Sequence, residues 1–188
     1  MNSPALTAPS PRSTHETLAL SVLLAATVVT FAWVPAASWA SSPLDPCHLA
    51  CLGAIATVAA LVVTSQLGDR GLRLERVMGA VFLASMPLVY VASCLALRSV
   101  HESAPLPWLE LIAVPLYGGL AALGLRRWPA LLPAGIALHG LGWDAWHYGR
   151  AGCVPDWYAA GCLLLDLTMG IYFGARLARW RRVWKAER

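Results

Sequence analysis

Residues 128–147, WPALLPAGIALHGLGWDAWH, are long and apolar enough to cross a bilayer, yet they contain His139, Asp144 and His147. About 20 predominantly apolar residues span roughly 30 Å of hydrocarbon as a helix. An ionisable side chain at bilayer depth costs about 2.5–3.5 kcal/mol on insertion scales, so such residues indicate a function. On an ideal α-helix these three residues and Trp143 fall within an arc of about 140°. The stretch therefore predicts a membrane helix with its polar chemistry on one face.

Five further stretches of similar length accompany this one. The chain of 188 residues is 58% hydrophobic and 13% charged, whereas a soluble domain carries about 25% charged residues. Because backbone polar groups find no water in the bilayer core, such stretches form helices. We predict an all-α membrane protein, with one compact bundle of six transmembrane helices over residues 17–178. The predicted spans are Thr17–Ala40, Pro46–Leu67, Glu75–Leu97, Pro107–Leu125, Trp128–His147 and Trp157–Ala178.

The N-terminal region leaves two alternatives open. Residues 1–16 are rich in Pro, Ser and Thr, which predicts a disordered cytoplasmic segment. The first apolar stretch ends Ala37-Ser38-Trp39-Ala40, whose small residues resemble a signal-peptidase site. The bundle has six helices if this stretch is retained and five if it is a cleaved signal peptide. The remaining helices keep the same orientation in both cases.

The cationic residues are distributed very unevenly between the two sides of the predicted bundle. Twelve of the 14 Lys and Arg residues lie on one side, and only Arg98 and Arg150 lie on the other. Under the positive-inside rule this predicts a multi-pass inner-membrane protein with both termini in the cytoplasm. We expect residues 179–188 to form a basic cytoplasmic tail that contacts anionic lipid headgroups rather than nucleic acid.

The predicted orientation brings the polar residues of different helices to similar depths. Helix five places His139 near mid-membrane and Asp144 and His147 closer to the outer surface. A short loop joins helices five and six, so the two should pack antiparallel, which puts Asp166 opposite His139. Glu110 lies about one turn inside the outer end of helix four. These depths converge on a polar site in the outer half of the bundle.

Imidazoles and carboxylates at this depth suit a divalent metal ion, zinc or another, with an open coordination position. We predict His139, His147, Asp144 and Asp166 as metal ligands, and Asp144, His147 and Glu110 as catalytic groups. A metal-bound water attacks at neutral pH, and a site in the outer leaflet suits a lipid-like substrate that enters laterally. The favoured function is a metal-dependent hydrolase acting on a lipid-like amide or ester.

Other functions fit the same residues. Intramembrane Asp and His also occur in proton or ion transporters, and a histidine can ligate a haem-like ring. In a structural or accessory subunit of a membrane complex or oligomer, His139 and Asp166 would form a hydrogen-bonded pair that fixes helix register. In each case we expect Tyr90 and Tyr117 to donate hydrogen bonds into the same cavity.

The cysteines show no metal-finger spacing. Cys153 falls in an outer loop, where a periplasmic setting permits a disulfide, and Cys47 is the partner we would test. Cys94 and Cys162 are expected to be small packing residues. Glu75, at the start of helix three, is expected to lie at the cytoplasmic interface.

The last two predicted helices carry a resemblance. Their pattern is His139-x3-Trp143-Asp144-x2-His147, then Val154-Pro155-x-Trp157-Tyr158-x3-Cys162-x3-Asp166. It resembles a pattern in small bacterial integral membrane proteins of unknown function, which implies that these positions form one unit. More loosely, it is similar to the alkaline ceramidase and progestin-receptor-like membrane hydrolases. Those proteins hold zinc with His and Asp in a seven-helix bundle, which implies zinc-dependent hydrolysis here.

Overall fold

The computed structural model describes residues 55, 57, 59, 61–100, 108–150 and 153–186, and this part of the chain is helical, with no strand. The predicted all-α fold class is therefore confirmed over these residues. A single π-helical turn, His139–Asp144, joins the third helix to the fourth. The helices are α1 Gly68–Val100, α2 Trp108–Arg126, α3 Leu131–Leu138, α4 Ala145–His147 and α5 Asp156–Ala186.

Three helices in the described ranges are long and apolar enough to cross a membrane: Gly68–Arg98, Trp108–Arg126 and Asp156–Ala186. The sequence predicts six. The predicted span Trp128–His147 consists of three consecutive helical pieces of eight, six and three residues, and none of them alone has the about 17–25 residues of a transmembrane helix. The predicted span Thr17–Ala40 and most of Pro46–Leu67 lie outside the described residues.

One glycine and two charged residues account for where α1 begins and ends. Gly68 has a φ of 57° and separates α1 from the helical residues that precede it, a conformation that glycine adopts without penalty. Asp69 lies in the first turn and Arg98 in the last, where each charge complements the helix dipole. The helix begins before the predicted Glu75 because polar residues continue it beyond the apolar segment.

The segment 131–147 and α5 pack antiparallel, as the short loop between them predicts. A Cβ atom on Gly170 would lie 3.1 Å from Ala137 Cβ, and one on Gly140 would lie 2.8 Å from Asp166 Cβ. Residue numbers thus increase along one segment as they decrease along the other. These glycines allow the two backbones to approach closely. The core that they help to close includes Leu83, Leu132, Ile136 and Phe173, all fully buried.

A buried ion pair joins α1 to α5 at the end of the bundle where α1 begins. Glu75, expected at the interface, has no exposed surface. It accepts hydrogen bonds from Arg176 at 2.7 and 2.9 Å, from Tyr172 at 3.1 Å and from the indole of Trp180 at 3.2 Å. Three residues of α5, spaced four apart, supply these partners, which a sequence window around Glu75 does not contain. The same contacts extend α5 past its predicted end.

A disulfide between Cys94 and Cys153 closes the opposite end, which we call the disulfide end. It links the last turns of α1 to the loop before α5. The suggested partner of Cys153, Cys47, is therefore wrong, and so is the packing role expected of Cys94. Their proximity depends on how α1 packs beside the loop, which sequence spacing does not reveal. Cys162 carries a free thiol.

Candidate metal centre

His139, Asp144 and Asp166, which we call the His139 group, meet between the π-helical turn and α5. His139 Nδ1 lies 2.8 Å from Asp166 Oδ2 and 3.6 Å from Asp144 Oδ1. One potential ligand atom from each residue lies within 4.8 Å of the others. All three side chains are buried, at 1%, 0% and 2% exposure respectively. The group therefore has the composition and spacing of a site for a metal ion.

The π-helical turn brings His139 and Asp144 together. Five residues separate them, which on an α-helix would rotate their side chains about 140° apart. In the turn the backbone N–H of Ala145 bonds to the carbonyl of Gly140, five residues earlier. This i→i+5 pattern places residue i+5 nearly above residue i, and single π turns are frequent at functional sites. Asp144 thus joins His139 and Asp166 instead of lying apart with His147, where the sequence places it.

Aromatic side chains surround the group and position it. The Tyr90 hydroxyl donates to Asp144 Oδ1 at 2.6 Å, as the sequence predicts for this tyrosine. The Tyr117 ring meets the His139 ring edge-on, with 4.9 Å between centroids, and Trp143 stacks on His139 at 6.4 Å. These contacts hold the orientation of the imidazole.

Two polar atoms of the His139 group are buried without a hydrogen-bond partner: His139 Nε2 and Asp144 Oδ2. Such atoms are rare in native proteins, because each costs about 1–3 kcal/mol in desolvation. Both are atom types that ligate zinc and other divalent ions. A divalent ion would engage Asp144 Oδ2, which has no other partner, so the residues present fit this class of ligand.

The two other predicted site residues form a separate pair nearer the disulfide end. His147 Nε2 lies 3.1 Å from Glu110 Oε1, and His147 Nδ1 lies 2.9 Å from the carbonyl oxygen of Trp143. Both nitrogens are therefore engaged. Of the four predicted ligands, the structure brings together three and pairs His147 with Glu110 instead.

A cavity of about 30 Å³ adjoins the group between α1 and α5. Its lining includes the polar side chains of His139, Asp166 and Tyr90, whereas side chains such as Met86 and Leu165 line it with apolar surface. A cavity needs about 10–15 Å³ on this measure to hold one water molecule. There is therefore room beside the His139 group for water or for a small part of a substrate.

Tyr158 and Cys162 also line the cavity, and the sequence interpretation gives neither of them a site role. They lie eight and four residues before Asp166, so they share its face of α5. That spacing is the signal that identifies them as neighbours of the site. Cys162 is not among the residues whose ligand atoms meet within 4.8 Å.

Comparisons with protein-family models, with curated proteins and with solved structures found no match to this chain. The resemblances noted in the sequence therefore stay predictions, and the function must be argued from the site.

Proposed function

We propose that His139, Asp144 and Asp166 bind one divalent metal ion, and that the protein is a membrane hydrolase acting on an ester or amide of a lipid-like molecule. The observation that carries this proposal is the convergence of three buried ligand side chains. Two of them have polar atoms without a partner, His139 Nε2 and Asp144 Oδ2.

Charge balance favours a divalent ion in the His139 group. Two ionised carboxylates beside a neutral imidazole carry two negative charges in a buried setting, where unpaired charge is very costly. Within the described residues, His139 is the only basic group within 4 Å of either carboxylate, and as a metal ligand it would be neutral. One divalent ion would compensate both carboxylates.

The number of ligands favours catalysis over a structural role. Structural zinc sites are closed by four protein ligands, whereas catalytic sites use three and leave a position open. A divalent ion bound in this way supplies an activated water for hydrolysis at neutral pH. Tyr90 would hold Asp144 in place through its hydroxyl.

The surroundings of the site support a lipid-like substrate. The neighbouring cavity lies between two helices that are long and apolar enough to cross a membrane. Its apolar lining would accept hydrocarbon, while His139 and Asp166 in the same lining supply polar groups. A lipid bilayer is thus the proposed environment, and a lipid-derived amphiphile is the proposed substrate.

We also propose a location in the inner membrane with both termini in the cytoplasm and up to six spans. Arg70, Arg73 and Arg76 lie near the start of α1, and Cys94 lies near its other end. Basic residues favour the cytoplasmic side, and disulfides persist in oxidising compartments such as the periplasm. The disulfide end would accordingly face outward.

Proton or ion transfer is the second candidate. It is favoured by the hydrogen bonds that join Asp166 to His139 and Asp144 to Tyr90, since intramembrane chains of such groups serve as proton relays. In that case the His139 group would exchange protons, and the purified protein would contain no bound metal.

Metal analysis of the protein purified in detergent tests the proposal. We expect about one zinc or other divalent ion per chain, lost in Asp144→Asn and Asp166→Asn and retained in Asp156→Asn, a matched change in the first turn of α5. His147→Ala should also retain the ion, because both of its nitrogens have other partners. Folded wild-type protein without stoichiometric metal, even after zinc is added, would rule out this function.

A second measurement addresses the reaction. Metal-loaded protein in mixed micelles is incubated with N-acyl and O-acyl lipids, and mass spectrometry follows release of the acyl chain. We expect release by wild type and by Asp156→Asn but not by Asp144→Asn. If the protein binds metal but releases no acyl chain from any of these lipids, the metal site stands and the hydrolase proposal fails. A visible absorption band in the purified protein would indicate a haem-like cofactor instead.

A further inference from the structure

His147 lies in a hydrogen-bonding arrangement that determines how many protons it shares with Glu110. Its Nδ1 is 2.9 Å from the Trp143 carbonyl oxygen, and its Nε2 is 3.1 Å from Glu110 Oε1. His147 and Glu110 are 4% and 8% exposed. Water therefore does not replace either partner.

A carbonyl oxygen only accepts hydrogen bonds, so His147 Nδ1 must carry a proton. If the imidazole is neutral, Nε2 has a lone pair and faces a carboxylate oxygen that also accepts. Such a contact between two acceptors is repulsive. The observed distance requires one more proton, either on Nε2 as an imidazolium or on Glu110 as a carboxylic acid.

We propose that Glu110 and His147 share this proton at neutral pH and act as the acid–base group of the site. The reaction that the pair serves rests on the proposed hydrolase function. In either protonation state the pair as a whole is electrically neutral, which is consistent with its burial. The pair is therefore distinct in role from the His139 group, which has donor atoms available for a metal ion.

The pair adjoins the His139 group through Tyr90. The Tyr90 ring of α1 lies 4.6 Å from the His147 ring, and the Tyr90 hydroxyl bonds to Asp144. One side chain thus touches both parts of the site.

The ionisable groups in and around the pair come from α1, α2, the π-helical turn, the loop after α4, and α5. Tyr90 faces it from α1 and Glu110 belongs to α2, while Asp144 precedes it in the π-helical turn. Beyond α4, Arg150 stacks on Trp146. From α5, Asp156 accepts a hydrogen bond from the Gly149 backbone N–H, two residues after His147.

The proposed step balances in atoms and charge. When an ester or amide is hydrolysed, the acyl carbon gains the hydroxyl of water as its bond to the leaving oxygen or nitrogen breaks. The pair gives its shared proton to that leaving atom. The remaining proton of the water then returns to the pair, so no other reactant is needed.

Spectroscopy of the whole protein tests proton sharing without reference to hydrolysis. Nitrogen NMR of 15N-histidine-labelled protein, assigned with His147→Gln, reports the protonation of both ring nitrogens. Infrared difference spectra between wild type and Glu110→Gln report a protonated Glu110 carboxyl. Asp156→Asn is the matched control, because it removes a carboxyl at the same end of the bundle outside the pair.

At neutral pH we expect one of two signals: an imidazolium at His147, which becomes neutral in Glu110→Gln, or a carboxylic acid band that Glu110→Gln removes. Neither should change in Asp156→Asn. A neutral His147 beside an ionised Glu110 in folded protein would overturn the proposal.

The acid–base role is tested separately, by the dependence of lipid hydrolysis on pH. Glu110→Gln should lower the rate by about 10²–10⁴-fold, the usual contribution of a general acid or base, and should leave the metal content unchanged. If wild type shows no hydrolysis but the spectra show the shared proton, the hydrolase proposal fails and the proton-holding pair stands. An active Glu110→Gln protein with the wild-type pH profile would overturn the acid–base role.

Discussion

His139 and Asp144 lie on the same face of their helical segment although five residues separate them, with 3.6 Å between His139 Nδ1 and Asp144 Oδ1. The π-helical turn that begins at one and ends at the other creates this relationship. An uninterrupted α-helix would direct Asp144 away from His139. The candidate metal centre therefore depends on a local change in helix type as well as on helix packing.

Gly140→Ala should disrupt the site, because an added Cβ would lie 2.8 Å from Asp166 Cβ. Separating α5 from the π-helical turn would lower stability by about 1–3 kcal/mol, the usual cost of overpacking, and would weaken metal binding. Gly142→Ala is the control, because its Cβ would meet no atom within 4 Å. Thermal unfolding and zinc stoichiometry measure both effects, and equal behaviour of the two variants would contradict the packing argument.

Tyr90→Phe removes the hydroxyl that donates to Asp144 at 2.6 Å and retains the ring. We expect metal affinity to fall by about 10–100-fold, the typical cost of losing a group that orients a ligand. Tyr148→Phe, at an exposed tyrosine near the same end, should leave affinity unchanged. Zinc titration against a competing chelator measures both, and an unaltered affinity in Tyr90→Phe would show that Asp144 is not held through this bond.

Arg176→Ala should destabilise the fold without direct contact with the His139 group. It leaves the fully buried Glu75 without its cation, and breaking a buried ion pair costs about 3–5 kcal/mol. Arg179 is exposed and lies three residues further along α5, so Arg179→Ala should change stability by less than about 0.5 kcal/mol. Unfolding in a denaturing detergent compares the two variants. Similar midpoints would show that the Glu75 network contributes little.

Removing the disulfide by Cys94→Ala with Cys153→Ala should lower stability by about 2–5 kcal/mol. The bond links residues 59 apart in sequence and joins α1 to the loop before α5. Cys162→Ala retains the bond and serves as the control. Thermal unfolding with and without reductant should show a reductant effect in wild type and in the control but none in the double variant. An unfolding temperature of the wild-type protein that reductant does not change would contradict this expectation.

Much of the fold was predictable from local sequence. Apolar stretches indicate helices, and the few residues between His147 and Asp156 indicate antiparallel packing. The pairing of His139 with Asp166 follows from depth along those helices. The number of single helices long enough to cross a membrane was overestimated for the described residues, because a π turn divides the segment ending at His147 into pieces that are each shorter than a span.

The sequence by itself determined that this chain is helical, that it is apolar enough for a membrane, and which polar residues lie at similar depth. These properties follow from composition and from the rise per residue of a helix. Only the tertiary structure decided that Asp144 joins His139, that His147 pairs with Glu110, and that Cys94 bonds to Cys153. Each of these contacts depends on helix rotation or on packing between distant segments, which depth along a helix does not specify.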